Sequence, residues 1–158
     1  MNNELKCAFS GHRIIKITNE LSQILRNRII RLIDEGTTVF INGGALGFDM
    51  FCAFEVLRLK KEYPIKLKMI IPCKDQNEKW TESQKRMYNE IIDGADEVVY
   101  LKENYEPGCM QLRNRLMVEE CDTLISYCKK NSGGTFYTVN YAKKLEKEII
   151  EIADLLFD

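Results

Sequence analysis

Glycine at 43, 44 and 47 follows Asn42, and a carboxylate, Asp49, stands two residues beyond the last of them. Small residues at that spacing let a ligand come close to the main chain. A helix beginning there offers an anion N–H groups that have no intrahelical acceptor. The pattern is close to the dinucleotide fingerprint G-x-G-x-x-G, with Asn42 in the first glycine place and Gly44 and Gly47 in the other two. Asparagine tolerates a left-handed backbone better than most residues, so the departure is mild. The acidic residue that would take the ribose of NAD about 20 positions on is missing, since residues 70–73 read Ile-Ile-Pro-Cys. An ordinary NAD-dependent dehydrogenase is therefore disfavoured. A phosphate cradle and a tight strand-to-helix turn without a ligand both stay open.

Other groups could join such a site. Gly11-His12-Arg13 closes the first apolar run. Arg13 has the fork to clamp a phosphate, and His12 can donate to a phosphate or ribose oxygen. The plain alternative for Arg13 is a surface carboxylate partner. Asp49 near a helix start is favoured by the helix dipole with or without a ligand. Its charge would repel a phosphate, so accepting ribose hydroxyls is its expected role. Gly133-Gly134-Thr135, at another helix start, is a second anion contact. Arg113 and Arg115, two apart on a helix, diverge and cannot form one clamp; Arg115 is assigned to a surface salt bridge, and Lys129-Lys130 to a solvated turn. Trp80 could stack on a base or act as a hydrophobic lid over a helix start. With one histidine, no P-loop lysine and no G-x-S-x-G elbow, the familiar hydrolytic machineries are missing. Six cysteines without a C-x-x-C pair argue against zinc. Catalysis stays open, with no catalytic residue assigned.

The elements that must carry these residues follow from periodicity. Apolar, β-branched runs at 5–10, 37–41, 65–71, 95–101 and 122–128 read as strands, with a sixth, edge strand at 148–152. Helical spacing joins Leu21, Ile24, Leu25, Ile29, Leu32 and Ile33 after a cap at Thr18 or Asn19, and Gly36 stops that helix. Further helices are expected at 46–62, from a capping box at Thr81 and Gln84 to Gly94, at 109–120, and from 135 to about 147. This alternation predicts an α/β fold: one Rossmann-like, doubly wound domain with a mainly parallel sheet of about six strands and helices on both faces. The loops 11–13, 42–49, 73–80, 102–108 and 129–135 then share the carboxyl edge of the sheet, and one site is expected there.

The 158 residues suit a single domain, with 45% hydrophobic and 30% charged side chains. The net charge of −1 gives no global attraction to nucleic acid or anionic membrane, so nucleic acid is not expected as a partner. No stretch has the apolar length of a membrane span or the h-region of a signal peptide, so no membrane insertion is expected. Cys7 and Cys128 fall in expected buried strands, and the cysteine pattern suits the reducing cytoplasm.

Taken in order, the residues resemble the YpsA family within the SLOG superfamily, which also holds the LOG phosphoribohydrolases and the DNA-processing protein DprA. The resemblance rests on Ser10-Gly11-His12-Arg13, Gly43-Gly44-Ala45-Leu46-Gly47-Phe48-Asp49, and Pro72 with Gln76 and Trp80. It continues through Tyr105, Met110, Arg113-Asn114, Met117-Val118 and Gly133-Gly134-Thr135. It implies a Rossmann-like fold and a nucleotide-derived ligand, NAD- or ADP-ribose-like, and brings Gln76, Arg113 and Asn114 into the site. No settled reaction comes with the family. Aligning Gly134-Thr135 with the LOG motif P-G-G-x-G-T-x-x-E places Thr138 at the catalytic glutamate, so LOG chemistry is not supported. The reading is a cytoplasmic binding protein or sensor for such a ligand, with a homo-oligomer left open. The rivals are a nucleotide N-glycosidic or phosphoribosyl hydrolase using Asp49 or another site acid, a DprA-like single-strand DNA binder, and a protein-interaction module.

Overall fold

The strand that carries Gly11 at its end lies between two neighbours in the interior of the sheet. In the computed structural model, which describes residues 4–156, β1 (Leu5–Gly11) buries Cys7, Ala8 and Phe9 completely. It pairs in parallel with β2 (Thr37–Asn42) on one side and β5 (Thr123–Tyr127) on the other. β3 (Lys66–Ile71) and β4 (Glu97–Tyr100) extend the sheet beyond β2, and β6 (Glu148–Glu151) closes it beside β5. The order is β4-β3-β2-β1-β5-β6, all parallel, so the expected doubly wound α/β fold is the one observed.

The chain steps outward from β1 to β4, then returns past β1 to β5. Right-handed crossovers in opposite directions put the helices on opposite faces. α1 (Asn19–Asp34), α2 (Phe48–Leu59) and α3 (Glu82–Gly94) pack side by side over one face. α4 (Cys109–Glu120) and α5 (Gly134–Lys144) pack together over the other. Each face has its own apolar core, one around Phe9, Phe40 and Phe48, the other around Ala8, Ile41, Met117 and Leu124.

Local signals set most boundaries. Thr18 caps α1, its hydroxyl accepting from the Leu21 N–H at 3.1 Å. The Thr81–Gln84 capping box opens α3. Several bounds differ from the sequence reading, β4 among them, which is shorter than the expected 95–101. α2 starts at Phe48, because the chain has not turned until Gly47, and it ends at Leu59. α5 stops at Lys144, and Glu146 takes a positive φ of 59°. Cys128 lies just past β5 and is half-buried. Among the described residues no helix is long and apolar enough to cross a membrane, and all six cysteines are free thiols.

Candidate functional site

A cleft opens where two neighbouring parallel strands send their helices to opposite faces. Here that point lies between β1 and β5, whose ends meet at Gly11 and Tyr127. A cavity of about 810 Å³ occupies it. Its floor is Ser10, Gly11 and Asp49; one wall is the start of α4 with Met110, Arg113 and Asn114; the other is the turn from Lys130 to Thr135. The loops at 73–80 and 102–108 share the sheet edge but contribute nothing to the lining, so the single site expected from five loops draws on three of them and on α4.

The glycine turn before α2 serves this cavity from behind. The Asn42 side chain is fully buried; its amide donates to the Asp49 carbonyl at 2.7 Å, and its oxygen accepts the Gly44 N–H at 2.8 Å. A Cβ on Gly43 would stand 2.6 Å from the Arg113 guanidinium. At Gly44 (φ +69°) it would press on Ile71, Met69 and Tyr88. At Gly47 (φ +86°) it would lie 2.2 Å from the Arg13 carbonyl oxygen, beside the loop whose His12 carbonyl accepts the Phe48 N–H at 3.1 Å. The space freed by these glycines is filled by protein. None of Asn42, Gly43, Gly44 and Gly47 lines the cavity, whereas Ala45 of the same turn does. What the turn does is deliver Asp49 and seat Arg113.

Asp49 is 5% exposed, and its Oδ1 has no hydrogen-bond partner. Burial pushes its carboxyl up to about 7, against the pull of the Arg113 charge, the Gly11 and Ala45 amides and the Arg13 charge. Arg113 is 4% exposed, donating to the Gly43 carbonyl at 2.7 Å and to Asn114 Oδ1 at 2.8 Å. Burial lowers its pKa while Asp49 raises it. Gln76 reaches Gly43 O and Arg113 at 3.4 Å from the far side, and Trp80 meets Tyr88 edge-on at 5.4 Å. Neither lines the cavity; Gln76 supports Arg113 from behind, and Trp80 packs on Tyr88.

His12 lines the cavity and also makes a contact that the sequence did not foresee. Its Nε2 accepts the Lys129 N–H at 2.8 Å, which ties the loop after β1 to the loop after β5. Only Nδ1 is left to donate. Partial burial and the nearby Lys130 charge lower its pKa. Arg13 points outward and reaches Met110 Sδ at 3.7 Å rather than a carboxylate.

α5 supplies the open anion position. At Gly133 and Gly134 an added Cβ meets nothing within 4 Å. The first intrahelical bond is Tyr137 N–H to the Gly133 carbonyl, which leaves the N–H groups of Gly134, Thr135 and Phe136 without helical acceptors. Sequence reasoning missed part of this wall. Arg115, expected in a surface salt bridge, lines the cavity; Lys130 lies in an exposed turn as expected and lines it too, and Tyr137, Thr138 and Tyr141 line it from α5. The available signal was the i, i+4 row that starts at Gly133 and continues through Tyr137 and Tyr141. Thr138 donates to the Gly134 carbonyl at 2.8 Å and offers no acid where a LOG enzyme has glutamate.

Comparison with known proteins agrees with this architecture. The UPF0398 protein BH1768 of Halalkalibacterium halodurans is 30% identical over 132 residues, covering 81% of this chain and 70% of that protein. The uncharacterized SPbeta prophage-derived protein YoqJ of Bacillus subtilis is 31% identical over 138 residues, covering 76% and 81%. Among solved structures, DNA processing protein A of Helicobacter pylori, described in its single-stranded DNA binding mode, superposes with a TM-score of 0.66 at 24% identity. DprA of Streptococcus pneumoniae gives 0.68 at 20% identity. Each superposition takes in 92% of this chain, but this chain spans only 63% and 49% of those two proteins, and the likeness shows the fold. The expectation that nucleic acid is no partner is overturned, because a protein of this fold binds single-stranded DNA. Net charge was a poor guide: Arg13, Arg115 and Lys130 gather at one mouth whatever the total. A family model described as the YspA SLOG family (YpsA) matches residues 9–158, and the chain belongs to that family.

Proposed function

We propose that this chain binds a nucleotide-derived, phosphate-bearing ligand of the NAD or ADP-ribose kind in the cavity between β1 and β5. The observation that carries this reading is Asp49. Asp49 lines the cavity with a nearly buried carboxyl, one enclosed oxygen of which has no partner; so poorly satisfied an acceptor is costly, and ribose hydroxyls are donors suited to it. The phosphate then belongs at the start of α5, with Arg13, Arg115 and Lys130 around it.

The test is thermal stabilisation. A ligand that binds only the folded state at ~100 times its Kd adds about 2.7 kcal/mol, roughly 5–10 °C in Tm for a domain of this size. NAD or ADP-ribose is expected to give such a shift, and Asp49→Asn to lose it. No shift at millimolar concentration from either compound sinks the reading.

One finding favours a second reading, binding of single-stranded DNA: the fold is that of a protein with that property, and three cationic side chains stand at the cavity mouth. Its signature is an oligonucleotide affinity that falls steeply with salt, with a slope of about −0.7 per phosphate neutralised. Competition by ADP-ribose would show that both readings use one cavity.

A further inference from the structure

We infer that the cavity holds a separate seat for a flat heteroaromatic ring, built by Tyr137 of α5 together with Ile14, and that the base of a nucleotide lies there. The inference rests on the nucleotide reading and adds the place and orientation of the base.

Tyr137 stands four residues along α5 from Gly133, ~6 Å up the helix axis. That is the reach of a ribose between a 5′-phosphate and its base. The open glycines and free N–H groups at the head of α5 suit the phosphate, and the carboxyl of Asp49, a residue on the floor of the same cavity, suits the sugar hydroxyls. Phosphate, sugar and ring positions thus follow one another in the order a nucleotide needs.

The ring seat has its own marks. Tyr137 is 67% exposed and Ile14 is 93% exposed, although both line the cavity. Large apolar groups left to water beside a concave site are a recognition feature. Tyr141, one turn further on, has its hydroxyl tied to Glu119, whereas the Tyr137 ring meets that of Phe136 in an edge contact with centroids 5.8 Å apart. The nearby Arg13, Arg115 and Lys130 favour a ring that comes with phosphate over a purely apolar partner. Stacking of a base on such a side chain contributes ~1–3 kcal/mol.

The experiment compares adenosine 5′-monophosphate with ribose 5-phosphate, which lacks the base, by calorimetry on wild type, Tyr137→Ala and Tyr137→Phe. Tyr137→Ala is expected to weaken the nucleotide about tenfold and leave ribose 5-phosphate unchanged, while Tyr137→Phe keeps both affinities. Unchanged nucleotide affinity in Tyr137→Ala overturns the seat, as does an equal loss of both compounds, which would place the damage at the phosphate. Equal wild-type affinity for the two overturns the seat and leaves the phosphate position standing. Wild type that binds neither also overturns it, and the ADP-ribose shift then decides the nucleotide reading separately. Self-association of wild type that Tyr137→Ala abolishes would make the patch an interface between copies and overturn the seat as well.

Discussion

Asp49 is the residue whose chemistry the fold changes most. Its folded pKa of about 7 stands above the unfolded value of 3.8, so the folded state binds the extra proton between those limits. Stability from this group is full below about pH 4, declines as pH rises toward 7, and stays reduced above it. Asp49→Asn removes the ionisation while keeping the shape. The variant is expected to be more stable than wild type at pH 8, by at most about 4 kcal/mol, and close to it at pH 4. Urea denaturation at the two pH values measures this; a variant less stable at pH 8 would mean that the carboxylate and the Arg113 charge support each other in the fold. Arg113→Met is expected to cost ~2–4 kcal/mol, since it strips the Gly43 carbonyl and Asn114 of a buried donor. Asp49 was legible because a carboxylate two places after a glycine turn falls at the carboxyl edge of a parallel sheet, where sites form. Tyr137 was not, because the face it presents depends on where α5 begins, and two glycines leave that start undefined to within a residue.

At the scale of elements, two glycine turns that look alike in sequence have opposite duties. Gly47 keeps clear of the Arg13 backbone, and Gly134 keeps clear of nothing in the protein. Gly47→Ala should therefore cost at least about 2 kcal/mol or prevent folding. Gly134→Ala should fold with wild-type stability yet lose most of the ADP-ribose shift, because the added methyl fills the anion position. Chemical denaturation and the thermal-shift assay separate the two; a stable, binding-competent Gly47→Ala would refute the packing account. Thr81→Ala, which removes a cap far from the cavity, should cost about 1 kcal/mol and leave binding alone. His12 joins elements too. Its folded pKa lies below 6.5, so the unfolded chain takes up the proton first, and stability should fall as pH drops through about 6.5. His12→Gln, with an uncharged acceptor, should flatten that slope in acid titrations of Tm. Strands and helices were readable because apolar periodicity and caps are local. The contents of the glycine turn were not, since Arg113 comes to Gly43 from 70 residues away.

Over the whole molecule, the parallel order of the sheet followed from the alternation of strands and helices, whereas the gathering of Arg13, Arg115 and Lys130 at one mouth came from three separate elements and left no trace in the net charge. The same topology governs how the protein is assembled. The two sides of the cavity hang from β1 and β5, neighbours in space whose paired residues Cys7 and Thr123 are 116 positions apart in the chain. Closing so long a loop is slow and entropically opposed until much of the sheet exists. A growing polypeptide could complete its glycine turn, α1, α2 and β3 and still possess only half a pocket. Ligand would then find no purchase on partly made chains, and its capture would report that the last central strand has slotted home.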